Sequence, residues 1–193
     1  VVPVAPTPSP ITPAPLVTPV NWQQSPSQVV EYKLNVNNKT VCTTSETSCQ
    51  VNTLIGPKTK VELVAIGNDN TTSQVVKVPF IAPTKPIPAL IVNFDLNSAK
   101  LTPTAIKKLN KFIVEMKASG YNRMVVEGHT DIQGNDGINQ PLSDARAKVV
   151  SSYLSRFLTV KSVKNYFAST KPAVNGNNEV AFAENRRTEV GVW

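Results

Sequence analysis

Residues 124–147 read Met124-Val125-Val126-Glu127-Gly128-His129-Thr130-Asp131-Ile132-Gln133-Gly134-Asn135-Asp136-Gly137-Ile138-Asn139-Gln140-Pro141-Leu142-Ser143-Asp144-Ala145-Arg146-Ala147. The apolar run at 124–126 reads as the end of a buried strand. Gly128, Gly134 and Gly137, with Asn135 and Asp136 between them, then mark a loop. Ser143 is a good N-cap for a helix that follows. A strand–loop–helix unit is therefore expected, with Asp131 at the strand's exit and Arg146 fifteen residues later in the first turn of the helix. Such a loop can bring the acid and the guanidinium together, and loops at the carboxyl ends of strands are where α/β proteins hold ligands. Two readings stay open. The pair can be a loop-fastening salt bridge. It can equally be a receptor for a zwitterion, the carboxylate taking an ammonium and the planar guanidinium taking a carboxylate in bidentate fashion.

Outward from this stretch the pattern alternates strands and helices. Leu90-Ile91-Val92-Asn93-Phe94 reads as a buried strand. Thr102-Pro103 places an N-cap before a proline at the first helical position. Ile106, Leu109, Ile113 and Met116 recur at three- and four-residue steps, with Lys107, Lys108, Lys111 and Lys117 on the wet side, and Ser119-Gly120 ends the helix. In the second helix, expected to run to about Leu158, Ala145, Val149, Tyr153 and Phe157 are expected to face the sheet. A third strand is expected over 163–169 and a fourth over 188–192, after a polar loop at 175–178.

Gly128-His129-Thr130-Asp131, Asn139, Leu142-Ser143, Arg146-Ala147 and Asn185-Arg186-Arg187 together resemble the OmpA-like peptidoglycan-binding domain. Val92-Asn93-Phe94-Asp95 with Ser98-Ala99 and Leu101 resembles that family's first strand and following turn. The resemblance runs from about residue 88 to residue 192. It implies an α+β domain with a β-α-β-α-β core and an extra strand. It also implies that Asp131 and Arg146 grip the diaminopimelate of a peptidoglycan stem peptide, with no chemistry done on the ligand. Thr130, Asn139 and Ser143 are then lining residues, and Arg186 and Arg187 support the loop, or one of them carries binding charge. His129 is expected to pack at the strand end, and Met116 to fill core space rather than serve as a ligand.

The chain has 193 residues and sixteen prolines, eight of them in the first 26 residues. Residues 1–19 read as an extended, polyproline-like lead-in. The next segment alternates at the two-residue period of half-buried strands: Tyr32, Leu34 and Val36 against Glu31, Lys33 and Asn35, then Val61, Leu63 and Ala65 against Glu62, Val64 and Ile66. Asn37-Asn38 and Gly67-Asn68-Asp69-Asn70 mark turns, and further strands are expected over 49–54 and 75–80. Short strands with turns about every ten residues indicate an all-β sandwich. Trp22, Tyr32 and Leu54-x-x-Pro57-x-Thr59 resemble a fibronectin type III module, which implies that Trp22 is a core residue. The expected organisation is therefore multidomain: lead-in and sandwich over 1–82, a proline-rich linker at 83–88, and the α+β domain over 89–193.

Apolar residues make up 40% and charged residues 17%, the balance of a globular chain. No run approaches the roughly 20 apolar residues that span a bilayer. No charged leader with an apolar core is present in these residues, so an export signal or anchor is expected to have been removed or to lie outside them. Residues 84–193 carry net charge +6 of the total +7. Those charges are scattered, without aromatic interleaving or a nucleic-acid-binding spacing, so no nucleic-acid partner is expected. Cys42 and Cys49 flank a Thr/Ser-rich segment and fit either a disulfide, which implies export to an oxidising compartment, or two thiols. The resemblance to the OmpA-like domain implies that the compartment is the cell envelope, in association with the wall. With His129 the lone histidine, no metal site is expected. No cofactor and no catalysis are expected, since no paired-carboxylate or nucleophile constellation is visible. The implied partners are the stem peptide and a protein bound by the β module.

Overall fold

The computed structural model describes residues 1–11, 17–84 and 86–193. They divide into two units, Val1–Pro83 with Ala118–Gly120, and Thr84–Lys117 with Tyr121–Trp193.

The first unit holds seven strands: β1 (Thr7–Pro8), β2 (Thr18–Gln23), β3 (Glu31–Val36), β4 (Lys39–Thr44), β5 (Ser48–Val51), β6 (Val61–Ile66) and β7 (Val76–Lys77). They form a sheet of order β1-β2-β5 and a sheet of order β4-β3-β6-β7. Alternation decides which side chains meet between them. Val20 and Trp22 from β2 and Cys49 and Val51 from β5 share one core with Tyr32, Leu34, Val36, Val61, Leu63 and Ala65 from the other sheet. Trp22 lies edge-on to Tyr32 at 5.4 Å, and the Tyr32 hydroxyl accepts a bond from the Ser25 amide. The expected turn at Asn37-Asn38 is present, with φ of 49° and 65°, the two positive angles of a type I′ hairpin turn that asparagine tolerates.

Two readings of this unit need correction. The lead-in is more than the extended, polyproline-like run expected over 1–19. Its residues 7–8 pair with β2 as an edge strand, a place where proline's missing N–H does no harm. Ile11 is buried, its amide bonded to the Pro79 carbonyl. Residues 12–16 of that lead-in lie outside the described residues. The strand expected over 75–80 shortens to Val76–Lys77, while β2 and β4 are additional. Cys42 and Cys49 are joined as a disulfide. Since Cys42 lies on β4 and Cys49 on β5, the bond ties one sheet to the other.

The second unit holds β8 (Ile87–Asn93), α1 (Pro103–Ser119), β9 (Arg123–Gly128), α2 (Asp136–Ser155), β10 (Lys161–Tyr166), α3 (Glu179–Asn185) and β11 (Arg187–Val192). The sheet order is β10-β9-β11-β8, with β10 parallel to β9 and β11 antiparallel to both its neighbours. This is an α+β domain. Thr102 caps α1 through its hydroxyl, which accepts from the Ala105 amide. The buried stripe of α1 is Ala105, Leu109, Phe112, Ile113 and Met116; Ile106 is only partly covered.

Three expectations fail here for physical reasons. α2 starts at Asp136, seven residues before Ser143, because the Asn135 side chain accepts from the Ile138 amide and serves as N-cap. Pro141 lies inside the helix. The sheet-facing stripe of α2 is Arg146, Ala147, Val150, Ser151 and Leu154, rotated from the expected Ala145, Val149, Tyr153 and Phe157. The polar members of that stripe hide it from a count of apolar residues. α3, finally, lies between the expected loop at 175–178 and the last strand, where no element was expected, with Asn178 as its cap.

Candidate functional site

Gly128 ends β9 where α2 crosses it. A Cβ there would lie 1.9 Å from the Ser143 carbonyl oxygen, so glycine is what allows the helix to press against the strand end. That approach seats the buried face of α2 over the loop that leaves β9. Arg146, near the middle of α2 and not in its first turn, is 0% exposed. Its Nε donates to the Ser98 carbonyl at 2.9 Å, Nη1 to the His129 carbonyl at 2.8 Å and Nη2 to the Asp95 carbonyl at 3.1 Å. The guanidinium also lies 5.3 Å from the Phe94 ring centroid. All three hydrogen-bond acceptors are neutral. A guanidinium has five N–H groups, so one on each terminal nitrogen is left after these bonds. Burial pushes the Arg146 pKa down to about 10, against the attraction of Asp131 and with the repulsion of Arg186.

Asp131 is 4% exposed and is not hydrogen-bonded to Arg146. Its Oδ1 accepts from the Gln133 amide at 3.0 Å, and its Oδ2 takes Nη1 of Arg186 at 3.1 Å. The salt bridge that one of the two open readings placed between Asp131 and Arg146 is thus not formed, and the ion pair runs to Arg186 instead. Nη2 of Arg186 reaches Glu179 on α3. Burial opposes the Arg186 charge, but the bonds from Glu179 and Asp131 outweigh it and hold the pKa above its ordinary value. The second arginine of the run behaves differently. Arg187 binds Glu189 at 2.6 Å and the Lys171 carbonyl at 3.2 Å.

The expected lining residues gather at the same place and are largely spent on holding the loop. Asn139 donates to the Gln133 carbonyl at 2.9 Å. Ser143 donates to the Gln140 carbonyl and accepts from the Ala168 amide. Thr130 is different: its amide bonds the Ala168 carbonyl, while its buried hydroxyl has no partner. His129 is buried at the strand end and stacks on Phe167 at 5.6 Å. Burial first, then Arg187, push its pKa down to about 4. A pocket of about 270 Å³ lies beside Arg186, with Phe94, Asp95, Thr102 and Lys108 in its wall.

Sequence reading missed that Asp131 and Glu179 share Arg186, and that the carbonyls of the β8–α1 turn hold Arg146. The Asn185-Arg186-Arg187 run was the available signal for the first. Asn185 itself accepts from the Ala173 and Val174 amides and fixes the loop before α3. Backbone acceptors leave no residue-type signature, so the second had none.

Residues 93–186 match the model of the OmpA family, and this segment is an OmpA-like domain. A peptidoglycan-associated lipoprotein of Pseudomonas putida is 34% identical over 103 residues, 50% of this chain and 59% of that protein. The peptidoglycan-binding protein ArfA of Mycobacterium tuberculosis is 33% identical over 103 residues, 52% of this chain and 32% of that protein. The chain therefore spans less than two thirds of the length of these relatives. The crystal structure of the peptidoglycan-associated lipoprotein from Burkholderia pseudomallei is similar at a TM-score of 0.49 and 24% identity, over 53% of this chain and 89% of that one.

Proposed function

We propose that the OmpA-like domain binds cell-wall peptidoglycan without chemistry, and that Asp131 and Arg146 receive the zwitterionic head of diaminopimelate in the stem peptide. The observation that carries this reading is Arg146, a fully buried guanidinium whose hydrogen bonds go to neutral carbonyls alone. A buried charge with no bonded counter-ion is costly. A ligand carboxylate supplies that counter-ion, and one N–H on each terminal nitrogen remains to donate to it. Asp131 has used one acceptor position on each oxygen, which leaves acceptor capacity for an ammonium. Thr130, with its unpartnered hydroxyl, is the lining residue that has a bond to give.

The relatives' names support the wall polymer as partner, and the Cys42–Cys49 disulfide supports an exported chain in the cell envelope. One head group buries little surface, so single-site affinity is modest and a repetitive polymer adds avidity. Residues 1–82 act as a fibronectin type III-like spacer or protein-binding head, joined through the proline-rich segment 83–88. Three- and four-stranded sheets closing on one core support that assignment.

The test is co-sedimentation of the tag-free chain with purified insoluble peptidoglycan. Asp131→Asn keeps the side chain's size, and Arg146→Lys keeps the charge without the fork. Wild type pellets with the polymer, and both variants, checked for a native melting transition, stay largely in the supernatant. Folded variants that pellet like wild type would remove the site assignment.

A further inference from the structure

Glu127 on β9 lies directly opposite Glu189 on β11 in the antiparallel ladder. Side chains two residues apart share a face of a sheet, so His129 and Arg187 stand on that face as well. The other face of the same strands carries the buried Met124, Val126 and Val190. Like charges directly opposite one another destabilise a strand pair. Here they are only partly answered. Arg187 donates to Oε1 of Glu189 at 2.6 Å, and Asn165 donates to Oε1 of Glu127 at 3.2 Å. These bonds occupy one oxygen of each carboxylate.

His129 supplies an independent sign. It is 2% exposed, and neither ring nitrogen makes a hydrogen bond of good geometry; the Lys171 backbone is near enough to favour the charged ring but does not complete a bond. Buried polar atoms are ordinarily paired, and an unpaired one needs an explanation. A His129 ring nitrogen and one carboxylate oxygen from each of Glu127 and Glu189 all lie within 4.8 Å of one another.

We propose that Glu127, His129 and Glu189 form a binding site for a divalent first-row transition metal ion, such as Zn²⁺. One imidazole nitrogen with two carboxylate oxygens is a donor set these ions accept, and three protein ligands leave a position for water. Metal–ligand bonds of about 2.0–2.2 Å put tetrahedral donors roughly 3.3 Å apart. The donors therefore close in by an ångström or so. His129 is fixed by its stack on Phe167, whereas Glu127 and Glu189 are only partly buried and can swing. Asn165 and Arg187 orient the two carboxylates from behind, as partners of ligating carboxylates do. Arg187 and Lys171 are cations near the site and weaken the ion's hold; the two carboxylates balance its charge. The inference stands apart from the peptidoglycan reading.

The experiment uses the tag-free full chain with its disulfide intact. ZnCl₂ is titrated calorimetrically and followed by nitrogen-15 spectroscopy of the imidazole. His129 is the chain's only histidine, so the imidazole signal is unambiguous. The expected result is one ion per chain with a shift of the His129 ring nitrogens. Affinity should fall at least ~10-fold in Glu127→Gln and in Glu189→Gln, since losing even an orienting partner of a ligand costs about that much. These partly exposed positions carry the test, because His129→Gln can fail to fold. No binding of Zn²⁺, Mn²⁺ or Co²⁺, binding unaltered in both glutamine variants, or binding that leaves the His129 nitrogens unmoved would each overturn the proposal.

Discussion

Replacing Gly128 by alanine separates close packing from every other role that position could have. Gly128 is not among the residues of positive φ, so alanine meets no backbone strain there. The conflict is steric. The added methyl would lie 1.9 Å from the Ser143 oxygen, 2.9 Å from its carbonyl carbon and 3.2 Å from the Ala147 Cβ. An ordinary contact of this kind is about 3.5 Å, so α2 must retreat by roughly 1.5 Å. Its atoms there are helix backbone and cannot rotate aside. Arg146 rides on the same face, and its bonds of 2.8–3.1 Å to three carbonyls do not survive such a shift intact. Overpacking of this sort costs about 1–3 kcal/mol, and weakened bonds to a charged group add about 1.5 kcal/mol or more. A total near 3 kcal/mol lowers the melting temperature of a domain of roughly 100 residues by about 12–24 °C. Scanning calorimetry reads this directly. Gly137→Ala is the control, since its methyl would meet only Asn135 Oδ1 at 3.3 Å; it should change stability by less than about 1 kcal/mol. A Gly128→Ala protein within 1 kcal/mol of wild type would refute the claim that α2 is seated by this contact.

Two further outcomes follow from other parts of the molecule. Cys42→Ser with Cys49→Ser opens an inter-sheet link of sequence separation 7, and loop entropy puts the loss at about 2.5 kcal/mol in the β unit; urea denaturation of that unit checks it, and an unchanged midpoint would contradict it. His129 has a pKa pushed down to about 4 in the folded chain, against about 6.5 unfolded. Between those values the unfolded state binds more protons. The stabilisation is therefore full above pH 6.5 and is lost as pH falls toward 4, with a magnitude of order 3 kcal/mol. Proton titration of the imidazole in the metal-free chain should show a midpoint near 4, and a midpoint near 6.5 would contradict the burial argument.

The parts of the fold that were legible in the sequence are those where local signals agreed. Thr102-Pro103 announced α1, and its apolar spacing found Leu109, Ile113 and Met116. Asn37-Asn38 announced the β3–β4 turn. The start of α2 was misread because Gly134, Asn135 and Gly137 carry loop chemistry while Asn135 in fact caps a helix. The face of α2 was misread because Ser143, Arg146 and Ser151 are polar yet buried. A helix as short as α3, with Val180 71% exposed, offers no periodicity to detect. Of the candidate site, the motif residues gather at one place in the fold, but the bonds they make were not legible. Arg146 is held by carbonyls of residues up to 51 positions away, and Asp131 pairs across 55 positions with Arg186. Such partners depend on the tertiary fold, which brings β11 between β8 and β9.

The central claim is that the Arg146 guanidinium is kept short of a counter-ion so that a ligand's carboxylate can supply it. Calorimetric titration of the tag-free chain with a stem peptide ending in meso-diaminopimelate, set against its lysine counterpart, tests this most directly. Lysine keeps the side-chain ammonium and lacks the second carboxylate. The account predicts heat from the diaminopimelate peptide, binding weaker by at least ~10-fold, about 1.4 kcal/mol, for the lysine peptide, and no heat from a folded Asp131→Asn chain. Equal binding of the two peptides, or no binding of either to the folded wild type, would contradict it.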